Sequence, residues 1–153
     1  MEGPVTMSGE IYRISTSAET GDKKENVESA KLAEDFGIVG DAHAGSIRQV
    51  SLLPFEAFEE VRKQLPEIKP GDFAENITTL GLDTSSVSIG DWFTIGASVK
   101  LVITHIGKEC HEDCYIREAV GDCIMPRLGL FARIATGGMI KVGDTIKWES
   151  RNV

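Results

Sequence analysis

From Val87 to Ile106 the chain is a succession of short apolar runs, broken by Gly90-Asp91 and Gly96-Ala97. No other stretch limits the fold so tightly. Val87, Ile89, Trp92, Phe93, Ile95, Val99, Leu101, Ile103 and Ile106 read as consecutive strands joined by tight turns. Leu101 to Ile106 alternates weakly, as suits a mostly buried central strand. The C-terminal part repeats the style, with Phe131 to Ile134, the turn Thr136-Gly137-Gly138, and then Met139 to Trp148. Ile89-Gly90-Asp91 and Val142-Gly143-Asp144 echo each other as turns entering strands, which suits a small barrel.

Upstream, Ile11 to Ser15 and Arg48 to Leu53 read as further strands, and Val27 to Phe36 fits helix or strand equally. One helix is predicted. Pro54 stands at its first turn, Phe55, Phe58, Val61 and Leu65 follow at helical spacing, and Pro66 and Pro70 close it. The expected fold class is therefore mainly β, a small barrel-like fold with a few short helices.

The 153 residues suit one domain over 9–150, preceded by a flexible leader over 1–8. A net charge of −8 repels phosphate backbones and anionic lipid, so neither nucleic acid nor a membrane surface is an expected partner. No run of about 18 apolar residues occurs, and the N-terminus lacks the basic start and apolar core of a secretory signal. Three cysteines, an odd number, point to free thiols and a cytoplasmic setting.

The chemistry is concentrated in Gly107 to Gly129, which holds all three cysteines, Cys110, Cys114 and Cys123, together with His111. Two readings are open. Cys110, His111, Cys114 and Cys123 could supply four ligands to zinc, although adjacent Cys110 and His111 rarely reach one tetrahedral ion together. Alternatively, Cys114 is a reactive thiol: Lys108, Arg117 and Arg127, if also near in space, favour thiolate, while Glu109, Glu112 and Asp113 oppose it. Cys123, beside Ile124 and Met125, has the setting of a buried, inert cysteine.

Two other segments carry candidate polar groups. Gly37 to Gly45 includes His43 in a glycine-rich turn, and Arg48 follows closely. Glycine N–H groups plus arginine can cradle an anion. Pro70 to Gly81 offers Glu75, Asn76, Thr78 and Thr79. The turn, the Asn76 loop and the cysteine stretch are expected to converge on one concave face. Ser15 to Asn26 is polar and reads as a mobile loop. No phosphate-binding glycine loop, zincin helix or serine-nucleophile motif is present.

FGIVGDAHAG (Phe36 to Gly45), RQVSLL (Arg48 to Leu53), PGDFAENITT (Pro70 to Thr79), IGDWFTIG (Ile89 to Gly96) and GKECHEDCYI (Gly107 to Ile116) occur in this order. GDCIMPRLGLFARI (Gly121 to Ile134) and KVGDTI (Lys141 to Ile146) follow. Together they resemble the MOSC domain family, named after the C-terminal region of molybdenum cofactor sulfurases, and in particular its short stand-alone bacterial members. The resemblance implies a β-barrel-like fold and binding of the molybdenum cofactor (Mo-molybdopterin), or handling of its sulfur. It maps the family cysteine to Cys114, with Cys110 as rival, and makes Cys114 the molybdenum ligand. It suggests His43, Arg48, Asn76, Thr78, Lys108 and Arg127 as anchors for phosphate and pterin. The partner implied is the pterin cofactor, or a sulfur donor or acceptor protein of molybdoenzyme maturation. A carrier or binding domain fits better than a stand-alone catalyst. The alternative is a zinc-binding or structural domain. Two departures from the family pattern stand out. Ala74 replaces a usual glycine, and only Ser46 and Ile47 separate Gly45 from Arg48.

Overall fold

The computed structural model describes residues 7–18, 24–84, 87–107 and 129–149. The chain is mainly β. Its strands are β1 (Met7–Thr16), β2 (Glu25–Val27), β3 (Ser29–Ala33), β4 (Gly37–Ile38), β5 (Val50–Pro54) and β6 (Ile77–Leu80). They continue as β7 (Trp92–Ile95), β8 (Val99–Ile106), β9 (Leu130–Thr136), β10 (Gly138–Lys141) and β11 (Thr145–Glu149).

Seven strands close into a barrel in the order β11-β7-β8-β9-β5-β6-β1, because β1 also pairs with β11. The ten residues of β1 make this closure possible. Its first half pairs Met7 with Trp148 and Glu10 with Thr145, and its second half pairs Ile14 with Ile77 of β6. Closure leaves no open edge among these seven strands. The strand β2 joins the end of β1, and β3, β4 and β10 form a separate three-stranded sheet. The run from Val27 to Phe36, equally helical or extended on pattern, is thus strand over Ser29–Ala33 and turn over residues 34–36. Pairing of β3 with β10 and β4 settles it.

Every barrel pairing is antiparallel except β5 with β6. A parallel pair needs a long crossover, and residues 55–76 provide it. The predicted helix lies here but is shorter than its spacing suggested. A 3-10 turn at Phe55–Ala57 leads into α1 (Phe58–Arg62), and a last turn bonds Leu65 N–H to the Val61 carbonyl at 2.8 Å. The apolar spacing reports burial rather than helix length. Phe58, Val61, Ile68 and Phe73 cover Leu53 and Phe131 on the outside of the barrel. Each such buried side chain contributes about 1.5–3 kcal/mol.

The central strand predicted at Leu101 to Ile106 is the body of β8, which pairs with β7 and β9. Its alternation is real, since Val99, Leu101 and Ile103 are buried and Lys100 is exposed. With Ile11, Ile14, Leu52, Ile77, Phe93, Ile95, Ala132, Ile134 and Ile146 they fill the barrel interior.

Candidate functional site

Among the described residues, four turns share one sequence form, with glycine third and aspartate fourth: Ile38–Asp41, Lys69–Asp72, Ser88–Asp91 and Lys141–Asp144. In each, the aspartate N–H donates to the first residue's carbonyl at 3.0 Å, and the glycine has φ between 91° and 100°. Only glycine takes that conformation without strain, which is why the type II turn needs it there. In three of the four the aspartate side chain also closes the turn. Asp72, Asp91 and Asp144 accept the N–H of Lys69, Ser88 and Lys141 at 3.1, 2.8 and 2.9 Å.

Asp41 breaks this pattern. Its Oδ1 accepts the Ser17 N–H at 3.0 Å and the Lys24 ammonium at 2.7 Å. Its Oδ2 accepts the His43 N–H at 3.1 Å and lies 3.6 Å from His43 Nδ1. The side chains of Lys24 and Asp41 are both fully buried. Burial by itself would raise the Asp41 carboxyl. The contacts from His43, Lys24 and the Ser17 amide outweigh it and hold Asp41 well below the usual carboxylate range. The Ala42 N–H donates to the Ser17 carbonyl at 2.7 Å, so the turn is fastened to the end of β1.

Lys24 therefore corrects the reading of Ser15 to Asn26 as a mobile loop. Ser15 and Thr16 belong to β1, Lys24 is core, and β2 begins at Glu25; residues 19–23 lie outside the described residues.

From His43 the chain turns back to the barrel. Ser46 Oγ donates to the His43 carbonyl at 2.7 Å and accepts the Arg48 N–H at 3.1 Å. The Gly45 N–H is spent on the Phe36 carbonyl at 2.7 Å, so that glycine does not serve an anion cradle. The Arg48 guanidinium lies over the Phe131 ring, 5.4 Å from its centre. His43 Nδ1 and Arg48 Nε are both buried without a hydrogen-bond partner among the described residues. Unpaired buried polar atoms are rare and call for a reason. Here two lie on one six-residue turn.

Phe131 connects this turn to the cysteine segment. It pairs with Ser51 of β5 on one side and His105 of β8 on the other. The His105 ring is held by the Thr104 hydroxyl at 2.9 Å. Two residues beyond each partner, the Gly107 N–H donates to the Gly129 carbonyl at 2.7 Å. The stretch bearing the cysteines thus leaves and rejoins the barrel at one point, on the strands that carry His105 and Phe131.

The Asn76 loop meets the same end of β1. Asn76 Nδ2 donates to the Ser15 carbonyl at 3.1 Å, and its Oδ1 accepts the Ser51 N–H at 3.0 Å. Asn76 and Thr78 are completely buried, so they brace the strands behind the surface. Thr78 Oγ1 is 2.9 Å from Glu75, whose oxygens also accept the Gly71 and Phe73 N–H groups at 2.9 and 3.2 Å. Burial pushes the Glu75 carboxyl up to about 7, although these donors favour its charged form. Ala74 takes φ 64°, so alanine here keeps the left-handed conformation that a glycine would adopt freely.

Residues 39–147 match the MOSC domain family. The chain belongs to that family. No curated protein matches its sequence. Among solved structures, this MOSC domain is similar to the YuaD protein of Bacillus subtilis, with a TM-score of 0.81 at 16% identity. That match covers 97% of this chain and 99% of the other. YiiM of Geobacillus stearothermophilus gives a TM-score of 0.70 at 18% identity, covering 95% of this chain and 77% of the other. YiiM of Escherichia coli gives 0.65 at 20%, covering 97% and 71%. At these identities the likeness is one of fold.

Of the residues singled out in the sequence, the MOSC domain brings His43 and Arg48 onto one turn and ties Asn76 to the same end of β1. Lys108, Cys110, His111, Cys114, Cys123 and Arg127 lie outside the described residues. Among the described residues, no group of three or more His, Cys, Asp or Glu side chains is arranged to hold a metal. No helix there is long and apolar enough to cross a membrane. Lys24, Asp41, His105 and Phe131 were not singled out. Asp41 was hidden because its turn has the same sequence form as three purely structural ones.

Proposed function

We propose that this domain binds a molybdopterin-type cofactor, or carries its sulfur, at the His43–Arg48 turn, with the cysteine segment contributing. The observation that carries this reading is the pair of buried atoms without a hydrogen-bond partner among the described residues, His43 Nδ1 and Arg48 Nε, on a turn that lies inside the family match. The residues present fit the anionic side of such a cofactor. Arg48 supplies fixed positive charge and a forked donor set for phosphate. Phe131, under the guanidinium, limits where that charge can go. Asn76 and Thr78 act from behind, by holding β1, β5 and β6 in register.

Cys114 is assigned as the soft ligand or sulfur carrier, with Cys110 as its rival and with Lys108 and Arg127 as further anchors. When bound, the molybdenum cofactor would supply a metal with an exchangeable sulfur position. Thiolate rather than thiol is the form that ligates metal or accepts sulfur, so cationic neighbours serve this role. The partner in the cell would be a cytoplasmic sulfur donor or acceptor protein of molybdoenzyme maturation. The test is elemental and fluorescence analysis of the full chain, purified without reducing additives. Molybdenum or pterin fluorescence in stoichiometric amount supports the proposal. Stoichiometric zinc without pterin overturns it and gives the cysteines the zinc role.

A further inference from the structure

His43 has two ring nitrogens in unlike settings. Nδ1 is buried, lacks a hydrogen-bond partner among the described residues, and lies 3.6 Å from Asp41 Oδ2. That separation is too long for a hydrogen bond but short enough for the carboxylate charge to act on the ring. A lone pair on Nδ1 would face negative charge, and an N–H there would face it favourably. About a third of the His43 side chain stays exposed, so the rest of the ring is open to a ligand.

Asp41 is suited to act on the ring because three donors hold its carboxylate. The Ser17 N–H and the Lys24 ammonium hold Oδ1, and the His43 N–H holds Oδ2. Lys24 itself is anchored by the Ser17 hydroxyl at 3.2 Å and by its own N–H, which donates to the Gly71 carbonyl at 3.1 Å. In the other three described glycine–aspartate turns, each carboxylate accepts the N–H of its own turn's first residue, and Asp91 also accepts the Trp148 indole N–H. Only Asp41 is directed at a histidine.

We propose that Asp41, backed by the buried Lys24, is a positioning residue that fixes His43 as the Nδ1–H tautomer and leaves Nε2 as a hydrogen-bond acceptor. The tautomer at one nitrogen follows from what faces the other. The turn then offers an acceptor at His43 and a cationic donor at Arg48. A ligand that uses both presents an N–H or O–H donor together with an anionic oxygen. This deepens the cofactor reading above and rests on it for the nature of the ligand.

The experiment reads the tautomer directly, without any ligand. The full chain is labelled with nitrogen-15 histidine, and its long-range proton–nitrogen spectrum is recorded above pH ~8.5, well over the ordinary histidine pKa. His43→Asn assigns the signals. The expected result is an Nδ1 resonance of the protonated type and an Nε2 resonance of the lone-pair type. The reverse tautomer, an even mixture, or a ring protonated on both nitrogens overturns the proposal. In Asp41→Asn, with the parent's circular dichroism retained, the bias toward Nδ1–H should be lost, and an unchanged bias denies Asp41 the role. If that variant does not fold, the parent spectrum still decides the tautomer. Failure here leaves cofactor binding unaffected, and absence of cofactor binding leaves the tautomer unaffected, so the two readings fail separately.

Discussion

The Cα of Gly71 approaches the Lys24 carbonyl so closely that a Cβ on residue 71 would lie 2.4 Å from the carbonyl oxygen. Gly71 also has φ 100°, outside the range that L-residues favour. Its N–H holds Glu75, and its carbonyl holds the Lys24 N–H. Gly71→Ala is therefore expected to destabilise the fold by about 3 kcal/mol, from backbone strain and overpacking together. Denaturant unfolding checks this, and a midpoint equal to the parent's would contradict the packing described.

The Lys24–Asp41 pair is expected to be costly to break. Lys24→Met leaves a buried carboxylate without its countercharge, a change that costs about 3–5 kcal/mol. Asp41 titrates below its ordinary value in the folded state, so its stabilisation is complete above an unfolded pKa near 3.8 and is lost as pH falls below that. Acid unfolding of the parent should therefore steepen below about pH 4. Lys24→Met should show a shallower acid limb.

Glu75 gives a dependence of opposite sign. Its folded pKa of about 7 exceeds the ordinary 4.5, so the folded state holds the proton more tightly than the unfolded chain. Its contribution to stability is highest below pH 4.5, falls as pH rises through 7 and is constant beyond. The whole change is on the order of 3 kcal/mol. Glu75→Gln loses one acceptor for the Gly71 or Phe73 N–H and should melt lower than the parent at pH 5. Between pH 5 and 8 its melting temperature should stay flat where the parent's declines. Equal slopes would show that Glu75 is ionised throughout.

Ala74→Gly is expected to stabilise by about 1 kcal/mol, because it relieves a left-handed alanine at φ 64°. Thermal melts of the two proteins decide it.

The barrel was legible in the sequence because strand periodicity and glycine-marked turns are local signals. β8, and the strands β7 and β11 that follow the Gly90 and Gly143 turns, come from them, whereas Val87 to Ile89, also read as strand, lead into the Gly90 turn without being strand. The length of α1 was not legible. Phe58 and Val61 fall at helical spacing, but the crossover they belong to must also reach back to β6, and packing on Leu53 and Phe131 sets where the helix stops. His43 and Arg48 could be named from residue type and glycine context. Lys24 could not, because its polar neighbours look like loop, and its burial depends on Asp41, 17 residues away. Phe131 reads as a strand residue, and only the outward face of β9 beneath Arg48 gives it a second role.

The central claim is that the turn carrying Arg48 and the segment carrying Cys114 serve one cofactor site. The most direct test is titration of the full chain with molybdenum cofactor released from a molybdoenzyme, followed by pterin fluorescence and molybdenum analysis. The parent should bind in a saturable way. Arg48→Ala should weaken binding about tenfold or more, as expected for loss of a charged phosphate contact. Cys114→Ser should lose molybdenum or sulfur loading while keeping the parent's circular dichroism. Parent-like binding by both variants, or no saturable binding by the parent, would contradict the account.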